Sequence, residues 1–312
     1  MTAPRPTPSL SRRWRRTRRR ATAAAGLAAA RARLRTLEVV APAAADRLAL
    51  DLWCTLPPVP RRQDARPAAD VVPSTLHRVP VPRGGAAVAE VWGDASGPVV
   101  YLVHGWGGWR GQLGAFVAPL VETGHRVVAI DAPGHGDADA GFLGPRRGTV
   151  MEFIEALEAT VEVFGPADGV VAHSMGTTVV GQALVGGLRP ARLVLVAPNH
   201  EFGDIVDHFA RVLGLRGRTR DHLRATLEEI TGRTMGDFDL APLGARVDAP
   251  PTLVVHDEDD AETPYRVATG LVEAWPDARL VTTRGLGHHR VLRAPVTVDA
   301  AVAHLLGRVP AS

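Results

Sequence analysis

A serine hydroxyl attacks carbonyl carbon only when a base lies in hydrogen-bond reach, another group orients that base, and N–H donors face the developing oxyanion. This chain carries residues of each kind. Gly169-Val-Val-Ala-His-Ser174-Met-Gly176 reads as a short apolar strand that turns at once into a helix. With no room for a loop, the middle residue is forced into a strained backbone conformation that pushes the Ser174 hydroxyl outward. The small residues Ala172 and Gly176 let strand and helix pack closely. For a base, Gly285-Leu-Gly-His288-His289 offers His288, with Gly287 permitting a tight turn and His289 as the rival. For an acid, the segment after Leu253-Val-Val-His256 supplies Asp257, Glu258, Asp259 and Asp260. Glu201, near the strand after the serine, offers a second route. His104-Gly105-Trp106-Gly107-Gly108 follows an apolar strand, and its glycines let backbone come close to a bound substrate. The amides of Trp106 and Met175 are the expected oxyanion donors, one such donor being worth about 3 kcal/mol in the transition state.

These residues must be held by regular elements. Apolar runs over Pro98–His104, Arg126–Asp131, Gly169–Ala172, Arg192–Ala197, Thr252–His256 and Arg279–Thr283 read as strands, most of them buried on both faces. Leu76–Val81 and Ala87–Trp92 read as a strand pair joined by Arg83-Gly84-Gly85. Helical spacing is expected over Gln112–Thr123, Thr149–Phe164, Gly176–Gly186, Pro264–Trp275 and a last segment toward Leu306. Alternation of this kind predicts an α/β fold, a mostly parallel sheet of about eight strands with helices on both faces. Each candidate then falls at the carboxyl end of a strand, where ligands collect in such sheets.

In sum, the chain resembles the α/β-hydrolase family of esterase- and lipase-like serine hydrolases. The small-x-Ser-x-Gly step is similar to the family's nucleophile elbow, with Ala172 where Gly is usual. Asp131-Ala-Pro-Gly-His135-Gly136 and the His104 turn are also family-like, and the resemblance covers roughly residues 75 to 309. It implies His288 as base, His289 as a rim residue, and Asp260 as acid, since the family often shows Asp followed after two residues by a Val-Pro pair and Thr263-Pro264 stands there. His104 and His135 then serve the loops. The implied activity is cleavage of a carboxylic ester or similar acyl bond through Ser174, Asp260 and His288. The same machinery serves thioesters, lactones, carbon–carbon bonds beside a carbonyl and cofactor-free peroxidation, and a binding protein that has lost turnover is the alternative from another class.

Composition bounds the rest. The 312 residues are 46% hydrophobic, with a single cysteine, Cys54, which excludes an internal disulfide framework and a cysteine zinc cluster. There is no His-Glu-x-x-His, and the glycine turn lacks the Lys-Ser/Thr of a phosphate loop, so neither metal nor cofactor is expected. Net charge is +3, but residues 1–35 hold 11 Arg and no acid, leaving 25 Arg against 33 acids elsewhere. Residues 1–20 read as a disordered tail, 21–73 as helices over Ala21–Leu37 and Ala43–Cys54 plus a Pro-rich linker, and 74–312 as the catalytic body. An insertion at about 199–249 breaks the alternation with helices over Phe202–Leu213 and Thr219–Thr231, read as a cap. Its arginines, Arg211, Arg216, Arg218, Arg220 and Arg224, read as a solvated face balanced by Asp221, Glu228 and Glu229. The expected partner is a small acyl substrate, with no nucleic acid for the body and weak membrane-surface contact open to residues 1–35. No run is long enough for a membrane span, and a cytoplasmic location is expected.

Overall fold

The computed structural model describes residues 10–57, 72–199 and 201–308, with backbone alone for 10–21 and 23. The linker expected over 57–73 therefore lies almost wholly outside the described residues. The chain divides into two compact units, residues 1–53 with 204–232, and 54–203 with 233–312.

The smaller unit contains α1 (Leu10–Val40) and α2 (Pro42–Cys54). The boundary expected at residue 20 is absent, because one helix runs from Leu10 onward; arginine is a strong helix former and the alanine run continues the pattern. With these helices belongs most of the insertion, α6 (Phe202–Leu213) and α7 (Gly217–Thr231). The reason is a shared apolar core of Leu34, Ala49 and Leu213, with Leu27, Leu48, Leu52 and Phe209 packed around it. Trp53 stands edge-on to Phe209 at 5.2 Å. Polar contacts complete the packing: Arg31 Nε donates to the Val212 carbonyl at 2.6 Å, and Arg218 grips Asp46 through two bonds at 3.2 and 2.9 Å. The arginines expected as a solvated face are thus partly structural. By contact, the insertion helices group with the N-terminal helices.

In the larger unit β1 (Ser74–Pro80) and β2 (Ala86–Trp92) form the expected hairpin. β3 (Val99–Val103) is followed by a 3₁₀ segment, Arg110–Phe116, and α3 (Val117–Glu122). One regular helix was expected here. Gly111 and Gly114 weaken it, and the Arg110 amide is instead tied to Asp131 Oδ1 at 2.6 Å. Then come β4 (Arg126–Asp131), α4 (Val150–Phe164), β5 (Ala167–His173), α5 (Met175–Val185) and β6 (Arg192–Val196). The Thr149 hydroxyl caps α4 by accepting from the Glu152 amide. After the insertion, α8 (Leu240–Leu243), β7 (Thr252–Asp257), α9 (Arg266–Ala274), β8 (Ala278–Thr283), α10 (Gly287–Arg290) and α11 (Pro295–Leu305) end the chain.

The sheet order is β1-β2-β4-β3-β5-β6-β7-β8. β1, β2 and β4 pair antiparallel, and from β4 to β8 every pairing is parallel. Strand residues alternate faces. Val100, Leu102, Val127, Ala129, Val171, Val194, Val196, Leu253 and Val255 therefore build one face, packed on Phe116, Leu120, Val298 and Leu305. Parallel strands aligned this way bring the ends of β3, β5, β7 and β8 to one edge. Among the described residues no helix is long and apolar enough to cross a membrane.

Candidate active site

Ser174 joins β5 to α5 with φ 52° and ψ −124°, a left-handed conformation that L-residues rarely adopt. The strain has local causes. The Ser174 amide donates back to the Val196 carbonyl of β6 at 3.1 Å, while its carbonyl already accepts from the Thr177 amide and hydroxyl at 2.8 and 2.6 Å. Gly176 has no space for a side chain, since a Cβ there would lie 2.5 Å from the His104 carbonyl oxygen. Ala172 is buried without strain, which is why Ala serves where Gly is usual. The chain after β3 passes just as near, for a Cβ on Gly105 would lie 2.9 Å from Ser174 Cβ.

Met175 opens α5, so its amide is one of the helix-start N–H groups that lack an intrahelical acceptor. Among the described residues neither it nor the Trp106 amide donates to a backbone carbonyl. The Trp106 turn rests on buried histidines. His104 Nδ1 donates to the Gly105 carbonyl at 2.7 Å, and its ring packs on Phe153 and His135. His135 Nδ1 donates to the Pro133 carbonyl, and Trp106 stands edge-on to its ring at 5.4 Å. Burial drives His104 down to about 4 and His135 down to about 3, so both rings are neutral near pH 7. The loop after β4 is held by Asp131, which Arg110 and the Asp137 amide bond.

Asp260 follows β7, and its side chain has no exposed surface. Its Oδ2 accepts from His288 Nδ1 at 2.8 Å and from the Thr263 hydroxyl at 3.0 Å. Its Oδ1 accepts the amides of Glu262 and Thr263 at 2.8 and 3.0 Å. Burial alone would raise this carboxyl, but the bond from His288 and those two amides outweigh it and hold it far below the usual carboxylate range. His288 is buried just after β8, with Nδ1–H committed to Asp260 and Nε2 left as the basic atom. Of the four acids from Asp257 to Asp260, Asp260 bonds the imidazole. Its neighbours hold the histidine loop: Asp257 accepts the Leu286 and Gly287 amides at 3.0 and 2.9 Å, and Asp259 accepts that of Gly285 at 2.9 Å. Glu201 is exposed, and among the described residues the carboxylates within 4 Å of the His288 ring nitrogens are those of Asp260 and Glu262.

Sequence reasoning passed over His173. Its Nε2–H donates to the His288 carbonyl at 3.0 Å, and the two rings lie 4.7 Å apart. The residue beside Ser174 thereby ties the elbow to the histidine loop. Its type alone carried a signal, an imidazole immediately before the serine on a strand buried throughout that stretch. His289 stays at the rim, 58% exposed, with Nε2 3.2 Å from Glu262. Among the described residues no hydrogen bond involves Ser174 Oγ. Trp109 packs over Gly111 and Trp106 on His135, so both serve the loop.

Comparison with known proteins agrees with this architecture. The profile described as "Alpha/beta hydrolase family" matches residues 100–301. RutD of Variovorax paradoxus, named as a carbamate hydrolase, is 28% identical over 265 residues, 71% of this chain and 96% of that protein. Epoxide hydrolase B of Mycobacterium tuberculosis is 28% identical over 212 residues, 56% of this chain and 58% of its own length. Among solved structures, Est1E of Butyrivibrio proteoclasticus with ferulic acid superposes with a TM-score of 0.56 at 18% identity, covering 74% of this chain and 98% of that one. The esterase RhEst1 of Rhodococcus sp. ECU1013 gives 0.54 at 18%, covering 75% and 99%. At these identities the structural likeness speaks for the fold alone.

Proposed function

This chain belongs to the alpha/beta hydrolase family, and from that premise we propose that it is a serine hydrolase cleaving a carboxylic ester or similar acyl bond. Ser174 Oγ attacks the carbonyl carbon and gives its proton to His288 Nε2. The Trp106 and Met175 amides take the oxyanion. On collapse the bond to the leaving group breaks, and His288 passes the proton to it. Water then attacks the acyl-enzyme with His288 again as base, releasing the acid and restoring Ser174. Asp260 keeps the proton of the resting imidazole on Nδ1 and balances the imidazolium.

The observation that carries this reading is the 2.8 Å bond between Asp260 and His288, made in a loop tied through His173 to a serine in a strained turn. A buried carboxylate spent on orienting one imidazole tautomer is what base catalysis requires. His104 and His135, beneath the Trp106 turn, are neutral near pH 7 and turned to their own loops, which supports His288 as the base.

Intact-mass labelling with a fluorophosphonate tests the proposal. One adduct is expected on the wild type and none on Ser174→Ala. A folded wild-type protein that takes up no label would end it.

A further inference from the structure

His173 ends β5, directly before Ser174, and its imidazole is buried. One ring nitrogen is spoken for, since Nε2–H donates to the His288 carbonyl at 3.0 Å. The other, Nδ1, is buried with no hydrogen-bond partner among the described residues. It faces the backbone of Gly105, where an added Cβ would come within 3.4 Å of it. An orphaned ring nitrogen is a cost that an apolar side chain of similar size would not carry. What the imidazole supplies against that cost is the bond to His288. A second proton on Nδ1 would bury an uncompensated charge, and burial accordingly holds this histidine well below its ordinary range. The ring therefore stays neutral and does not compete for the serine proton.

The histidine loop is anchored from two strands. From the end of β7 and the turn after it, Asp257 and Asp259 accept the amides of Gly285, Leu286 and Gly287, and Asp260 holds the ring. Those bonds keep the imidazole with its acid. The His173 bond comes instead from β5, the strand that leads into Ser174. We propose that His173 is a positioning residue, whose bond sets the place of the His288 ring relative to the Ser174 hydroxyl while Asp260 sets its tautomer. This rests on the serine-hydrolase reading above. Without the bond, His288 and Asp260 stay paired, but the loop that carries the imidazole shifts against the elbow and Nε2 loses its register with Oγ. A misplacement of about 1 Å costs up to about a hundredfold in rate.

Three variants separate the bond from the bulk of the ring. His173→Leu removes the donor, and His173→Asn carries an amide too short to reach the His288 carbonyl. His173→Gln puts an amide N–H where Nε2–H stands. The fluorophosphonate labelling rate of each is measured against pH, with a thermal melt to confirm folding. The low-field proton resonance of His288 Nδ1–H, assigned by its loss in Asp260→Asn, is followed by NMR. The Leu and Asn variants are expected to label about ten- to hundredfold more slowly than wild type, and the Gln variant within about threefold of it. All three should keep the resonance and the apparent pKa of the wild-type rate profile, which a general loosening of the site would not spare. Folded Leu and Asn variants that label at the wild-type rate would overturn this inference and leave the hydrolase reading standing. So would a Gln variant as slow as the Leu variant, or slow variants that have also lost the resonance. No adduct on the wild type would overturn both.

Discussion

Replacing Asp260 by Asn keeps the shape of the site and inverts one hydrogen bond. Asp260 Oδ1 accepts two amides, from Glu262 and Thr263, while Oδ2 faces His288 Nδ1. An asparagine cannot turn its NH₂ toward two N–H donors, so its oxygen must stay on the amides and its NH₂ must face His288. Nδ1 then has to accept, the ring proton moves to Nε2, and the base proposed for Ser174 is lost. The Thr263 hydroxyl adjusts by accepting where it donated. With no solvent at the side chain to offer another arrangement, the wrong tautomer is enforced. Turnover should fall by roughly four orders of magnitude, about 5.5 kcal/mol of transition-state stabilisation. The assay is the fluorophosphonate labelling rate together with kcat on an activated p-nitrophenyl ester, with a thermal melt to confirm folding. Glu201→Gln should leave both rates unchanged. An Asp260→Asn variant that is folded and within tenfold of wild type would refute the reasoning.

The elbow predicts opposite outcomes for two one-methyl changes. Gly176→Ala puts a carbon 2.5 and 2.6 Å from the backbone oxygens of His104 and Val103, and should cost about 1–3 kcal/mol in urea melts. Ala172→Gly only loosens a buried strand residue, should cost about 1 kcal/mol or less, and should keep its label. The buried histidines predict the acid limb of stability. His104 and His135 titrate at about 4 and about 3 when folded, against about 6.5 when unfolded, because burial disfavours their charged form. The unfolded state therefore binds more protons between these values, and the stability due to neutral rings is complete above pH 6.5 and is lost toward pH 4. Each ring contributes a slope of about 1.4 kcal/mol per pH unit there. A folded His135→Gln variant whose urea-derived stability shows the wild-type slope over pH 4–6.5 would contradict this.

What the sequence determined by itself was the part governed by local pattern. Runs such as Val99–Val103 and Leu193–Val196 leave no residue for a solvated face, so they had to be interior strands. Ser174 between an apolar strand and a small-residue helix had to sit in a strained turn. Tertiary structure decided what depends on where chains meet. The acidic turn after β7 offers four carboxylates of like chemistry, and only the path of the loop gives Asp260 to the imidazole and Asp257 and Asp259 to the backbone before it. The tie from His173 to His288 joins residues 115 positions apart, a contact that no local pattern encodes. The insertion is the plainest case. Its apolar stripe required a partner, and the pattern was silent on which; Leu213 and Phe209 found theirs in Leu34, Ala49 and Trp53 of the N-terminal helices. Amphipathicity fixes that a face must be buried, while the surface that buries it is a property of the folded chain.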